Sequence, residues 1–234
     1  MVLRGALNTN SPPGRVADRR LFLFSAIAIS AIIFAGFAHS YYLKAWLGSR
    51  VLTAILHVHG LIMTAWIVLF LTQTLLVANH RTSLHRKLGM LGAVLTGSVL
   101  AIGSLIVFKA IYRRYPEAGA AQASQLFVAY DGLNLLVFTG LVCTALYLRW
   151  RSDVHKRLML IATVSLLPPA MGRIIEQLAK AEAPMVILAL MIACVVACLV
   201  FDTLKNRRLH PALGWSGALL IASSALTYFT QIRS

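Results

Sequence analysis

Histidines stand at matching positions in two similar stretches of the chain, and imidazole is a common ligand of haem iron and of metal ions. The first stretch has a polar position 26 residues before its second histidine, and the other has one 24 residues before. The two stretches begin with His59-Gly60-Leu61 and Asp131-Gly132-Leu133, cross an apolar run, and end with His85-Arg86-Lys87-Leu88 and His155-Lys156-Arg157-Leu158. We interpret them as an internal repeat of one helix, a short basic loop and a returning helix.

The repeat separates the histidines into two layers. At a rise of about 1.5 Å per helical residue, His59 and His85 are separated by most of the thickness of a membrane. One small ligand cannot contact both. The sequence therefore predicts either two separate sites or none.

The inner layer consists of His85 and His155, which we call the inner pair. Both copies run in the same direction, so they are expected to be related by a pseudo-two-fold axis along the membrane normal, with the two histidines facing each other across it. Two opposed imidazoles are what bis-histidine ligation of haem requires. Arg86, Lys87, Lys156 and Arg157 are then candidates to pair with the propionates. The alternative is that these are interfacial histidines, which bind lipid head groups together with their basic neighbours.

The outer layer holds a group of ionisable residues that we call the outer cluster: His57, His59, Asp131, Arg173 and Glu176. Charged side chains inside a membrane span are costly and usually line a cavity or a cofactor site. The cluster suggests a zinc or iron site built from His57 or His59 with Asp131 and Glu176. A purely structural alternative is that Arg173 pairs with Glu176 or with Asp131. Gly60, next to His59, leaves room for a flat cofactor or for another backbone.

Composition identifies the solvent. The chain has 234 residues, of which 59% are hydrophobic and 12% charged, and its mean hydropathy is +0.78. These values are typical of a membrane protein. Apolar runs of roughly 20 residues predict an all-α polytopic protein with about seven transmembrane helices. Residues 1–20 are expected to form a flexible cytoplasmic tail, and 21–234 a single domain with repeat units at about 51–110 and 125–178. The predicted spans are 21–40, 51–78, 88–110, 125–148, 157–178, 185–204 and 213–231.

The net charge of +15 lies mainly beside alternate spans, before the first and after the second, fourth and sixth. The positive-inside rule then places the N-terminus in the cytoplasm and the C-terminus outside, as in a bacterial inner membrane. Basic loops next to spans attract anionic lipid head groups, so the charge does not predict nucleic-acid binding.

Two further features of the sequence bear on chemistry. Pro168 and Pro169 fall within the fifth predicted span, where they remove two backbone donors and are expected to kink the helix. Cys194 and Cys198 share a helix face at a spacing that suits Cu(I), although small residues in helix packing are the simpler interpretation. No P-loop, G-x-S-x-G or H-E-x-x-H motif occurs, so these motifs give no support to nucleotide hydrolysis, serine hydrolysis or zincin chemistry.

The motifs around the inner pair resemble a known group of proteins. His85-Arg86-Lys87-Leu88-Gly89 and His155-Lys156-Arg157-Leu158-Met159 are similar to elements of uncharacterised bacterial multi-span proteins, some of them linked to haem-copper oxidase maturation. His59-Gly60-Leu61-Ile62-Met63 more distantly resembles the opening of di-haem cytochromes b and ferric-reductase-like proteins. The resemblance implies that His59, His85 and His155 are axial ligands. Asp131 departs from a symmetric di-haem pattern, which leaves His39 or His57 as the second outer ligand.

Together these features lead to one expected function and two alternatives. The expected function is binding of a redox cofactor, haem b, for electron transfer, or assistance with haem or copper handling for a respiratory complex. The first alternative is a non-haem zinc or iron membrane enzyme that uses the outer cluster. The second is a non-catalytic structural subunit. A respiratory complex or a second copy of the chain is the expected protein partner.

Overall fold

The computed structural model describes residues 13–47, 52–113, 121–180 and 183–232. Every regular element in these ranges is helical. A π-helical segment, Ala38–Tyr42, continues the first helix. The α-helices are α1 (Pro13–Phe37), α2 (Lys44–Leu47), α3 (Ala54–Ala78), α4 (Thr82–Arg113), α5 (Ala121–Tyr147), α6 (Ser152–Val164), α7 (Pro168–Ala179), α8 (Pro184–Asn206) and α9 (Pro211–Ile232).

These helices confirm an all-α integral membrane protein. Six helical stretches among the described residues are long and apolar enough to cross a bilayer. The seventh helix is α5, which has 27 residues, with its apolar part at Asp131–Tyr147. The fifth predicted span corresponds to two consecutive helices, α6 and α7. The count of about seven spans agrees with the prediction from apolar run lengths.

The helix ends differ from the predicted ones on one side of the bundle. Helix α4 begins at Thr82 rather than at residue 88, and α6 begins at Ser152 rather than at 157. The basic residues assigned to loops therefore lie largely on the first helical turns. Helix α1 begins at Pro13, so residues 13–20, which we expected in a flexible tail, are helical. Residues 1–12 lie outside the described ranges.

Six helices form a ring around the broken fifth span. The order around the ring is α1, α3, α4, α5, α9 and α8, each packed on the next, with α8 returning to α1. Helices α6 and α7 pack against α1, α5, α8 and α9, and they form the most buried of the candidate spans. We call the end of the bundle that carries the turns at 79–81, 148–151 and 207–210 the basic face.

The two repeat units do not close into the four-helix bundle that we expected. A two-fold arrangement requires α3 to pack on α6 and α7 as α4 packs on α5. Instead, α1 contacts both α3 and the fifth span. The symmetry is therefore local to the facing surfaces of the repeats, and α1 occupies the position between the outer helices.

The double proline breaks the fifth span, as predicted. Helix α6 ends at Val164 and α7 starts at Pro168, a position where a missing N–H costs no helical bond. The Ser165 hydroxyl donates to the Ala162 carbonyl at 2.7 Å, and the Leu167 amide donates to the Val164 carbonyl at 3.0 Å. A side-chain hydroxyl and a tightened turn thus supply partners near the break, as membrane burial requires.

Helix α1 approaches α7 closely at a glycine. A Cβ atom at Gly36 would lie 2.5 Å from the carbonyl oxygen of Ala170 and 2.6 Å from its Cα. Both are backbone atoms, which cannot move aside as the tip of a side chain can. Only a glycine at residue 36 allows this contact.

We predict that Gly36→Ala lowers the free energy of unfolding by about 1–3 kcal/mol, because the added methyl group overpacks the contact between α1 and α7. The matched control is Gly97→Ala on α4, where a Cβ meets nothing within 4 Å. Thermal unfolding in detergent measures both variants. Equal melting temperatures for the two would contradict the close approach.

Candidate functional site

The two repeats present matching residues at three depths. Successive residues of each set are seven apart, which is nearly two helical turns, so each set lies along one face of its helix. Helix α3 contributes His59, Trp66 and Gln73, and α5 contributes Asp131, Phe138 and Ala145 at the corresponding positions of the repeat.

An aromatic layer separates the inner residues from the outer ones. The Trp66 ring meets Phe138 edge to face, with centroids 4.9 Å apart at 79°. Trp66 is 1% exposed and Phe138 is fully buried. The indole Nε1 of Trp66 has no hydrogen-bond partner among the described residues. The bundle therefore has one ionisable region on each side of this layer.

The inner pair is brought together as the repeat implied. The ring centroids of His85 on α4 and His155 on α6 lie 6.3 Å apart, and the ring planes are nearly perpendicular at 80°. Both residues are half-buried. Two helices that are not neighbours in the ring thus place their imidazoles against each other at the basic face.

One imidazole of the inner pair is oriented by the backbone of the preceding helix. Nδ1 of His155 donates to the carbonyl oxygen of Ala145 at 2.8 Å. In the neutral ring this bond places the proton on Nδ1 and leaves the lone pair of Nε2 available to a metal. A backbone carbonyl in this role is a common second-shell partner of metal-binding histidine.

The other imidazole is linked to the corresponding position of its own repeat. Gln73, which matches Ala145, donates from Nε2 to the backbone carbonyl of His85 at 3.2 Å. Nδ1 of His85 and Oε1 of Gln73 are buried and have no hydrogen-bond partner in the described part of the chain. Buried polar atoms are rarely left unpaired, so these atoms mark a place where a ligand or water is expected.

The basic residues beside the inner pair have different surroundings. Arg86 and Lys87 are exposed next to His85, where they remain candidates for an anionic group. The ammonium of Lys156 lies 5.1 Å from the centre of the Phe22 ring. Arg157 does not fit the proposed role. It is 3% exposed and is engaged with another residue, so its assignment to a propionate is wrong.

Arg157 forms a buried, two-pronged ion pair with Asp202 of α8. Its Nη2 donates to Oδ1 at 2.7 Å and its Nε donates to Oδ2 at 3.0 Å. Nη1 donates to the backbone carbonyl of Asp153 at 2.7 Å, and Nδ2 of Asn206 also donates to the Asp202 Oδ1 at 3.1 Å. This network joins the central helix to α8 just below the basic face.

The outer cluster gathers loosely around a guanidinium group. Arg173 interacts electrostatically with Glu176, Asp131 and His59. No ion pair within 4.0 Å joins Arg173 to either carboxylate in the described residues. Its Nη1 donates instead to the Pro169 carbonyl at 2.9 Å, and its guanidinium carbon lies 4.4 Å from the centre of the Phe37 ring. The proposed direct pairing of Arg173 with Asp131 or Glu176 is therefore wrong.

Tyr41 fills the space next to His59. A Cβ atom at Gly60 would overlap the Tyr41 ring, whose hydroxyl donates to the backbone carbonyl of His57 at 3.2 Å. The room that we assigned to a flat cofactor is thus occupied by a side chain. His39 and His57 are exposed, and neither supplies a second outer ligand next to His59.

The outer cluster does not form a metal site in the described residues. No three histidine, cysteine, aspartate or glutamate side chains within these ranges converge in a way that would hold a metal ion. Asp131 and Glu176 are exposed, whereas His59 is half-buried with its Nδ1 enclosed. The geometry therefore gives the inner pair more support than the outer cluster.

Sequence reasoning did not single out Asp202, Gln73 or Tyr41. Asp202 is an acidic residue within the last two turns of α8, at the depth of Arg157, and matching the depths of opposite charges would have suggested the pair. Gln73 lies 14 residues after His59, on the same face of the helix. No sequence signal pointed to Tyr41 as the neighbour of Gly60.

Comparisons of the chain with protein-family models, with curated proteins and with solved structures gave no significant match.

We predict that Asp202→Asn lowers the free energy of unfolding by about 3–5 kcal/mol, because it leaves the Arg157 guanidinium buried without a compensating charge. Replacing both residues together, Arg157→Met with Asp202→Leu, is expected to recover most of this loss. Chemical unfolding in detergent micelles measures the effect.

Asp153→Asn is the matched control. Its carboxylate accepts a hydrogen bond from His210 at 3.1 Å and is 54% exposed. Exposed pairs contribute at most about 1 kcal/mol. Similar losses for Asp153→Asn and Asp202→Asn would argue against the buried pair.

Proposed function

We propose that the protein binds haem b between His85 and His155 and uses it for electron transfer in the membrane. The observation that carries the proposal is the pair of imidazoles, 6.3 Å apart, on two different helices. A metal bound linearly by two imidazole nitrogens at about 2.0–2.1 Å holds the ring centres roughly 6 Å apart. The separation therefore fits one metal centre between the rings.

The residues around the pair have roles that fit this ligand. His155 is held through Nδ1 by the Ala145 carbonyl, which orients Nε2 and strengthens it as a ligand. Gln73 anchors the backbone at His85. Arg86 and Lys87 are exposed beside the site and supply charge for propionates. When bound, haem iron accepts and releases single electrons.

The position of the charges supports an orientation. The basic face carries exposed Arg81, Arg149 and Arg151, and the turn after α8 adds Arg207 and Arg208. The positive-inside rule places such a face in the cytoplasm. We propose a bacterial inner membrane, with the inner pair near its cytoplasmic side and the outer cluster near its external side.

Handling of haem or copper for a respiratory complex draws on the same two ligands. Imidazole also binds copper, so the pair itself does not choose between iron and copper. Metal analysis of the purified protein distinguishes the two. A partner complex would contact the bundle through the lipid-facing side chains of its outer helices.

We predict that His85→Ala and His155→Ala each abolish or grossly alter the haem absorption spectrum, because losing one axial ligand changes the spin state and weakens retention. The measurement is the oxidised and reduced visible spectrum of protein purified from haem-supplied cells. Unchanged spectra at full haem occupancy in both variants would rule out this site.

His80→Asn serves as the control for these substitutions. His80 lies at the basic face in the turn between α3 and α4, with a left-handed φ of 61° that asparagine tolerates. It also removes an imidazole from the same region. We expect wild-type spectra for this variant.

The orientation has its own test. A reporter active only in the cytoplasm is expected to be active when inserted in the turn after α8 and silent when fused after residue 234, because the basic turn lies inside and the C-terminus outside. Activity at the C-terminus together with silence at the turn would reverse the orientation.

A further inference from the structure

A cavity lies between α1 and α8 close to the basic face. Its volume is about 380 Å³, within the range of small-molecule sites. Phe22, Phe24 and Ala28 of α1 line one side, and Ala197 and Phe201 of α8 line the other. These walls are apolar, so they suit a hydrocarbon chain rather than a polar solute.

The cavity lies at the depth where a lipid head group meets the acyl region. Its α1 residues belong to the first turns after Arg20, and its α8 residues to the last turns before Asn206. A chain in this groove therefore has its polar end at the basic face. A membrane lipid has this arrangement of an apolar chain below a head group.

Two cations flank the upper end of the cavity. The ammonium of Lys156 lies 5.1 Å from the centre of the Phe22 ring, and Phe22 is part of the wall. Arg20 is exposed and lies one turn before Phe24 on the same helix face. The head group that reaches this point meets positive charge from both α1 and α6.

The one carboxylate in the described lining does not oppose this charge. Asp202 faces the cavity, but its two oxygens accept hydrogen bonds from Arg157 at 2.7 and 3.0 Å. Its charge is therefore compensated within the protein. The electrostatic balance at the mouth of the cavity is set by Arg20 and Lys156.

We propose that this cavity is a binding site for an anionic phospholipid. One acyl chain lies between α1 and α8, and the phosphate contacts Lys156 and Arg20. Basic pockets between transmembrane helices are suited to such head groups. The site involves neither residue of the inner pair, so its test is independent of haem binding.

The experiment measures lipids retained by the purified protein in native mass spectrometry. Phosphatidylglycerol and phosphatidylcholine with identical acyl chains are offered in equal amounts, and glycerol phosphate is offered separately. We expect one phosphatidylglycerol to be retained in preference to phosphatidylcholine. Equal retention of both lipids, or binding of glycerol phosphate as strong as that of the lipid, overturns the proposal.

Variants separate the two parts of the site. Lys156→Gln is expected to lower phosphatidylglycerol retention about fivefold, the factor that one cation near an anionic lipid contributes. Lys87→Gln, which removes an exposed cation from α4 at the same face, is the control and should leave retention unchanged. An equal fall in both would mean general surface attraction and would refute a defined site.

The acyl-chain part is tested by filling the groove. Ala28→Trp places a large ring in the cavity and leaves both cations in place, so it is expected to reduce retention at least fivefold. Ala93→Trp on the exposed side of α4 is the matched control. If Ala28→Trp prevents folding, the comparison of Lys156→Gln with Lys87→Gln decides. A folded Ala28→Trp protein that retains the lipid as the wild type does would contradict the proposal.

Discussion

Hydrocarbon cannot solvate polar groups, and this constraint organises the whole bundle. Each polar side chain within a span must find a partner in the protein or reach an interface. The strongest example is Arg157, whose guanidinium donates three hydrogen bonds to two residues while almost fully buried. This network fixes the first turns of α6, and His155 stands on those turns, two residues before Arg157. The orientation of the inner pair thus depends on a buried ion pair that is not part of the site.

The same constraint explains why the protein has two polar regions rather than a continuous polar path. Trp66 and Phe138 close the centre of the repeat with aromatic surface, so ionisable groups are confined to the two ends. At one end the groups are held by defined hydrogen bonds. At the other, Arg173 is held by a backbone carbonyl and by the face of Phe37, and the carboxylates are more distant. This difference is why the geometry favours chemistry at the inner pair.

Much of this arrangement was predictable from the sequence, because it is encoded by spacing. Apolar run lengths identified the spans, and the repeat placed His85 opposite His155. The position of α1 was not predictable, since it depends on a close contact between Gly36 and Ala170, which are distant in the chain. The partner of Arg157 and the packing of Tyr41 on Gly60 also depend on which helices become neighbours. Such choices are made by long-range packing and leave no periodic signal.

Electron paramagnetic resonance of the oxidised protein tests the central claim most directly. The planes of His85 and His155 are nearly perpendicular, at 80°. Perpendicular axial imidazoles leave the two iron orbitals of π symmetry nearly equal in energy, which gives a strongly anisotropic low-spin signal. We expect this signal, with one haem b per chain. A high-spin signal, or haem-free protein from cells with ample haem, would contradict bis-histidine ligation by the inner pair.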